Sequence, residues 1–360
     1  MITTPGVKLE TVSVSGFTDW SMIEISASAE EVVRNAQLTV HSRPGAGWSL
    51  FPGEPVTITA SGDLVLTGFV RDFSPHHDAE TWDGSLAIAS KSVDATENSV
   101  LDKQKTGFAK NMNAQALSKR FDNNGKGFKA LGLKLPIEPP HQITPGASLF
   151  NEIERVVRGR GVLIHDQPDG SIVMTDKPEG RHSGGVVLGI NILEAGAKFS
   201  EAGRHSPVVV RGQSTHGTSA ENLRMEAKAE DSGVKRLRPK IIIHEGEATT
   251  ATIKKRAENE VSRAAGRASS ATIIVAGWRD AAGKIWQPNW LVKVEDERIY
   301  LNRDMLISSV RLVQTTDDEG SGTYAELSLV DPRALGKSKS KAGKSAAYNA
   351  PDAKAKVSVG

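Results

Sequence analysis

The strongest constraint on this chain is a two-residue alternation of side-chain character that recurs through its first 95 residues. Ile23, Ile25 and Ala27 alternate with Glu24, Ser26 and Ser28. Val56, Ile58 and Ala60 alternate with Thr57 and Thr59, and Leu86 and Ile88 with Ala87 and Ala89. Successive side chains of an extended chain point to opposite faces, so this period buries one face and leaves the other wet. Turn-forming residues punctuate it at Arg43-Pro44-Gly45, Phe51-Pro52-Gly53, Ser61-Gly62-Asp63 and Asp83-Gly84. About six short strands in this stretch imply a sandwich or a small barrel.

Near Lys91 the pattern changes. Residues 96–130 are polar, with Lys103, Lys105, Lys110 and the turn-like run Asp122-Asn123-Asn124-Gly125. Leu135-Pro136-Ile137-Glu138-Pro139-Pro140 reads as an extended connector. A helix starts near Ser148, with Leu149, Ile153, Val156 and Val157 on one face, and Gly159 and Gly161 end it. Asp169-Gly170 between Val162–Ile164 and Ile172–Met174 predicts a hairpin. Residues 206–213 and 240–244 read as strands flanking a polar loop. The longest helix is expected at 247–268, where Ile253, Ala257, Val261, Ala264 and Ala268 form one stripe. Strands follow at 271–278, 290–297, 304–315 and 323–330.

The expected class is therefore mainly β with an α/β insert. At about 150 residues per domain, 360 residues suggest two or three domains. The expected division is an N-terminal β unit over 1–95 and an α/β middle over 96–205, which either completes the first unit or stands apart. A second β unit over 206–335 carries the long helix, and a disordered basic tail covers 336–360.

Charge sharpens the reading of that tail. The net formal charge is only +2, but residues 333–360 hold seven basic side chains and one acidic, leaving 38 basic against 42 acidic in the body. A mildly acidic body lacks the basic profile of a nucleic-acid-binding domain. The absence of cysteine excludes disulfide scaffolds, thiolate metal sites and cysteine nucleophiles. No secretory signal is visible, and no apolar run approaches the ~20 residues of a membrane span.

The search for catalytic chemistry finds little. His76-His77-Asp78 is the most tempting cluster. Adjacent residues on an extended chain diverge, however, so the expectation is a solvated hairpin loop. His165-Asp166 reads as a polar turn. Gly343-Lys344-Ser345 imitates the end of a phosphate loop, but Ser338 stands where glycine is required and no strand precedes it. Glu152 and Glu154 fall on different faces of their helix. No catalytic, cofactor-binding or metal-ligating residue is assigned.

Three of the six tryptophans fall within a short segment, Trp278, Trp286 and Trp290. It reads either as a structural β-corner or as a protein–protein anchor, since Trp and Arg are enriched in interface hot spots. This segment resembles the baseplate hub proteins of Mu-like contractile phage tails. The shared pattern is Gly-Trp-Arg, a short turn with glycine, then Trp-x-Pro-Asn, here Gly277, Trp278, Arg279, Gly283, Trp286, Pro288 and Asn289. Gly53-Glu54-Pro55-Val56, Leu66–Val70, Ser90–Asp94, Ser148–Gly161 and Arg238-Pro239 agree in order, so the resemblance covers about residues 7–335.

The resemblance implies two small antiparallel β-barrels per subunit, joined by helix–hairpin elements, in a homotrimeric ring. Such a ring adapts a hexameric tail tube protein to a trimeric spike protein within the virion tail. Other baseplate proteins are further partners, DNA passes the bore without specific binding, and the chain does not insert into a membrane. It is made in the host cytoplasm, needs no cofactor, and is not an enzyme. Two alternatives stay open: a tail-tip cell-wall hydrolase, and a tail component contacting DNA through the basic C-terminal tail.

Overall fold

The computed structural model describes residues 9–15, 17, 20–41, 50–79, 82–102, 106–213, 225–316, 322–335 and 358–359. The N-terminal alternation folds into β1 (Val12–Val14), β2 (Trp20–Ser28), β3 (Asn35–His41), β4 (Pro55–Ala60), β5 (Asp63–His77) and β6 (Trp82–Ser90). Ile23, Ile25, Val56, Ile58, Leu86 and Ile88 are all buried, as their period requires. Ser61-Gly62 turns β4 into β5 with both residues at positive φ, the backbone of a tight hairpin.

The middle region is richer in structure than its polarity suggests. It holds α1 (Val93–Glu97), β7 (Phe108–Ala109), α2 (Ala114–Phe121), β8 (Lys129–Ala130), β9 (His141–Gln142) and α3 (Leu149–Val157). The Asn113 side chain caps α2 by accepting the Ala116 N–H, and Ala114, Leu117 and Phe121 turn inward. Ser148 caps α3 in the same way through Asn151 N–H. The hairpin β10 (Leu163–Asp166) and β11 (Ile172–Thr175) packs with these helices in a separate apolar cluster.

The chain continues through β12 (Gly180–Arg181), β13 (Val186–Val187), β14 (Ile192–Phe199), β15 (Val208–Gln213), β16 (Met225–Ala229) and β17 (Lys240–Glu247). Strand β16 lies where the sequence suggested only a polar loop. The long helix, α4, is Thr250–Arg267. Thr249 and Thr252 form a reciprocal cap at its start. Its stripe runs Ile253, Ala257, Val261, Ala265; Ala264 is only half-buried. It packs on β15 and β16 in a third cluster.

The last strands are β18 (Ser269–Ala276), β19 (Trp290–Asp296), β20 (Leu301–Thr315) and β21 (Gly322–Val330). Strand takes 48% of the structure and helix 15%, so the class is mainly β. One 13-stranded sheet gathers both ends of the chain in the order β1-β4-β5-β6-β3-β2-β20-β21-β18-β14. Strand β19 also pairs with β20, and short β12 and β13 run parallel to β19. The junction is β2 against β20, antiparallel from Met22↔Thr315 to Ser28↔Ser309. One apolar core follows this sheet, mixing Ile23, Leu38 and Ile88 with Ile273, Trp278, Trp286 and Leu327. Among the described residues no closed barrel is detected.

Two local expectations change. His76 and His77 belong to β5, opposite Asp83 and Trp82, so they are strand residues rather than a loop. Asp83-Gly84 is likewise inside β6. The disordered-tail expectation falls outside the described residues, except that β22 (Ser358–Val359) runs antiparallel to β16.

Candidate functional site

The tryptophan segment forms a corner between β18 and β19. Gly277 and Gly283 both sit at positive φ, where a side chain is strained, and let the chain leave β18 and reverse. The tip closes through Asp280 N–H to Lys284 C=O and Gly283 N–H to Asp280 C=O. Trp278 and Trp286 are buried, and the Trp278 indole N–H donates to Val313 C=O at 3.0 Å. Pro288 is buried too, and Asn289, fully buried at positive φ, directly precedes β19. Its side-chain amide donates to Lys177 C=O at 3.1 Å. Only residues 281–284, at the tip, are exposed.

Arg279 ties this corner to the N-terminal strands. Its guanidinium donates to both Glu10 carboxylate oxygens, at 2.7 and 3.0 Å, and to Asp63. It also donates to Ala60 C=O and Gly283 C=O, each at 2.8 Å. The Glu10 bonds hold the guanidinium firmly protonated, with its pKa raised. Burial pushes the Glu10 carboxyl upward, but bonds from Arg279 and Ser61 outweigh it and leave the pKa below the usual value.

His182 packs under the corner, between Trp286 and Trp290, with ring centroids 4.7 and 5.0 Å away. Its Nε2 accepts the Gln287 N–H at 3.1 Å, which places the proton on Nδ1. That proton is donated to Asp280 at 2.9 Å. Burial lowers the His182 pKa, and the nearby Lys284 charge adds to this against the opposing Asp280 carboxylate. Asp280 also accepts the N–H groups of Ser183, Ala282 and Lys284. Burial raises its pKa, but these bonds prevail and keep it ionised. Lys284 covers the outer side of Trp290, its ammonium 3.5 Å from the ring centroid. Of these polar groups, Asp63 and Lys284 border an open concavity beside the tip.

His165 and Asp166 are buried at the end of β10 rather than in a turn. His165 Nε2 lies 2.7 Å from Glu179, which also accepts from Gln167 and Asn289. Asp166 lies 3.6 Å from Arg34, and burial raises its carboxyl pKa despite that cation. Sequence order gave no sign of these partnerships, because each joins residues at least 12 positions apart, and Asp166–Arg34 and Glu179–Asn289 more than 100 apart.

A concavity of about 800 Å³ lies between α1, α2 and the β10–β11 turn. Lys91, Lys119, Lys126 and Lys129 line it with Asp94, Asp122 and Asp169. Asp122 is occupied by the N–H groups of Asn124, Lys126 and Gly127. No group of three or more His, Asp or Glu among the described residues is placed to hold a metal ion. The corner is a buried, internally bonded joint with an exposed tip.

Residues 249–337 match the family model described as the fourth domain of the Mu phage baseplate assembly protein GpP. Residues 204–259 match that of the third domain of NMB1110-like tail proteins. The chain is 25% identical to the baseplate hub protein gp44 of Escherichia phage Mu over 331 residues, covering 86% of this chain and 84% of that protein. Along most of its length the chain is thus similar to Mu-like phage tail baseplate hub proteins. Its structure resembles the 43 kDa tail protein of prophage MuSo2 from Shewanella oneidensis, with a TM-score of 0.76 and 26% identity. The match covers 91% of this chain and 99% of that one. The tail protein of Neisseria meningitidis MC58 shares the fold at a TM-score of 0.75 and 19% identity, with the same coverages. All seven motif residues, from Gly277 to Asn289, fall inside the first family match.

Proposed function

We propose that this chain is the structural baseplate hub of a contractile phage or phage-like tail. In this reading three copies form a ring, each contributing two β units, and the ring adapts a sixfold tail tube to a threefold spike. It is a structural part, not an enzyme. The observation that carries the reading is the likeness to the Mu baseplate hub protein along most of both chains. The polar groups of the corner support it, because they are consumed in internal bonds rather than presented to a substrate. The seven motif residues act here as the scaffold that holds the 281–284 tip in place.

Light scattering on the purified chain, followed by mixing with tube and spike proteins, tests the proposal. The expected result is a threefold particle that binds both. A stable monomer that joins neither would overturn it.

A further inference from the structure

One strand reaches its sheet from the far end of the chain. Strand β22 lies antiparallel on β16, with Val359 opposite Ala227 and Ser358 opposite Lys228. It forms the outer strand of the order β17-β15-β16-β22. Its sequence suits that place. Val357 and Val359 are the only β-branched residues after Pro332, in a run otherwise dominated by Lys, Ser, Ala and Gly. Branching at Cβ favours the extended chain of a paired strand.

The strand it lands on is held independently of it. Ala227 and Ala229 of β16 are buried, in one apolar cluster with Ala257 and Val261 of α4. On its other side β16 pairs with β15 from Val208↔Ala229 to Gly212↔Met225. The near end of the basic run is fixed as well. Ala334 and Leu335 are buried, and Arg263 Nε donates to Ala334 C=O at 3.3 Å. The hold of β22 itself is slight, since it has two residues against the five of β16. Each backbone bond it makes replaces a bond to water, so the net gain is small. Against that gain stands the entropy of closing the run 336–357 between two fixed points, which grows with the logarithm of its length. The two effects are of similar size, so the contact lies close to balance.

We propose that the outer edge of β16 is a strand-addition site, occupied by the chain's own C-terminal residues, and that this occupant exchanges with an extended peptide. In strand addition the main-chain bonds supply affinity, and side chains at alternate positions supply selectivity. The C-terminus is thus a cover that keeps β16 from pairing with another chain. An extended peptide that makes a longer ladder along Met225–Ala229 displaces it. The proposal does not depend on the hub reading above.

Amide hydrogen exchange on the full chain tests this. The segment 225–229 should be protected in the parent. Val359→Pro removes a backbone N–H and fixes φ, so it should raise exchange in 225–229 severalfold. The strands β2 and β20 should keep the parent's protection, which shows that the variant folds. A chain ending at Ala355 should behave like Val359→Pro. A synthetic peptide of residues 350–360, added to either variant in millimolar excess, should restore protection of 225–229. The same peptide with proline at positions 357 and 359 should not. Unchanged exchange of 225–229 in both variants would overturn the cover. No restoration by the parent peptide would overturn the exchange of occupants, and equal restoration by the proline peptide would overturn strand pairing as its basis.

Discussion

Arg279 holds four partners drawn from three separate stretches of the chain, Glu10, Asp63 with Ala60, and Gly283. Glu10 is nearly buried, so removing the cation strands its carboxylate. Breaking a pair of this kind costs about 2–4 kcal/mol, less than a fully buried pair because Arg279 is partly wet. Arg279→Ala should lower the urea midpoint accordingly, and Arg279→Lys should recover less than half, because an ammonium cannot fork to both oxygens. Equal stability for Arg279→Lys and the parent would refute the bidentate account. His182 gives a second prediction at this scale. Its pKa is lowered by burial, so the folded state prefers the neutral ring. Its contribution is then complete above the ordinary histidine value of about 6.5 and is lost as pH falls toward the depressed folded value. His182→Gln keeps a donor and an acceptor without a titrating ring. Denaturation midpoints should therefore fall more steeply from pH 7 to pH 5 in the parent than in this variant.

Among the elements, legibility follows the range of the determining contacts. The strands β2, β4 and β6, the helices α3 and α4 and the β10–β11 hairpin were readable because each is set by local period, cap or turn chemistry. Helix α2 escaped notice, since only Asn113 and the spacing of Ala114, Leu117 and Phe121 mark it within a lysine-rich stretch. The corner was visible as a tryptophan cluster, yet its partners Glu10, His182 and Glu179 were not, because pairing across such separations leaves no local signature. Packing between elements also defeats propensity at Gly266. Alanine is favoured over glycine by about 0.8–1.0 kcal/mol in a helix interior. A Cβ at Gly266, however, would stand 2.2 Å from the Ala334 backbone nitrogen. Helix α4 meets the turn Pro332–Ala334 there, and backbone cannot step aside as a flexible side chain can. Gly266→Ala should destabilise by about 1–3 kcal/mol in calorimetry, as overpacking does. A raised melting temperature would show that this contact yields freely.

At the scale of the whole molecule, the division suggested by sequence and the course of strand pairing differ in what they join. The alternating blocks at the two ends read as two β units, but β2 hydrogen-bonds to β20 over seven registered pairs, and one apolar core serves both. Arg311 on β20 reinforces the seam through both oxygens of Glu24 on β2, at 2.6 and 2.7 Å. Residues 1–95 expressed alone would keep their internal hairpins. They would lose the strand that covers β2, the Arg279 clamp on Glu10, and the apolar faces of Ile273, Trp278 and Leu327. An exposed β2, with Ile23 and Ile25 stripped of the core they share with the C-terminal strands, is a template for aggregation. The isolated fragment should therefore be insoluble or fully exchanging in amide hydrogen exchange. The intact chain should show the amides of β2 and β20 protected to the same degree, since a shared seam opens as one unit. Strong protection of β2 within a soluble 1–95 fragment would mean that the N-terminal unit stands by itself. The continuous sheet would then be a docking of two finished parts rather than a single folding unit.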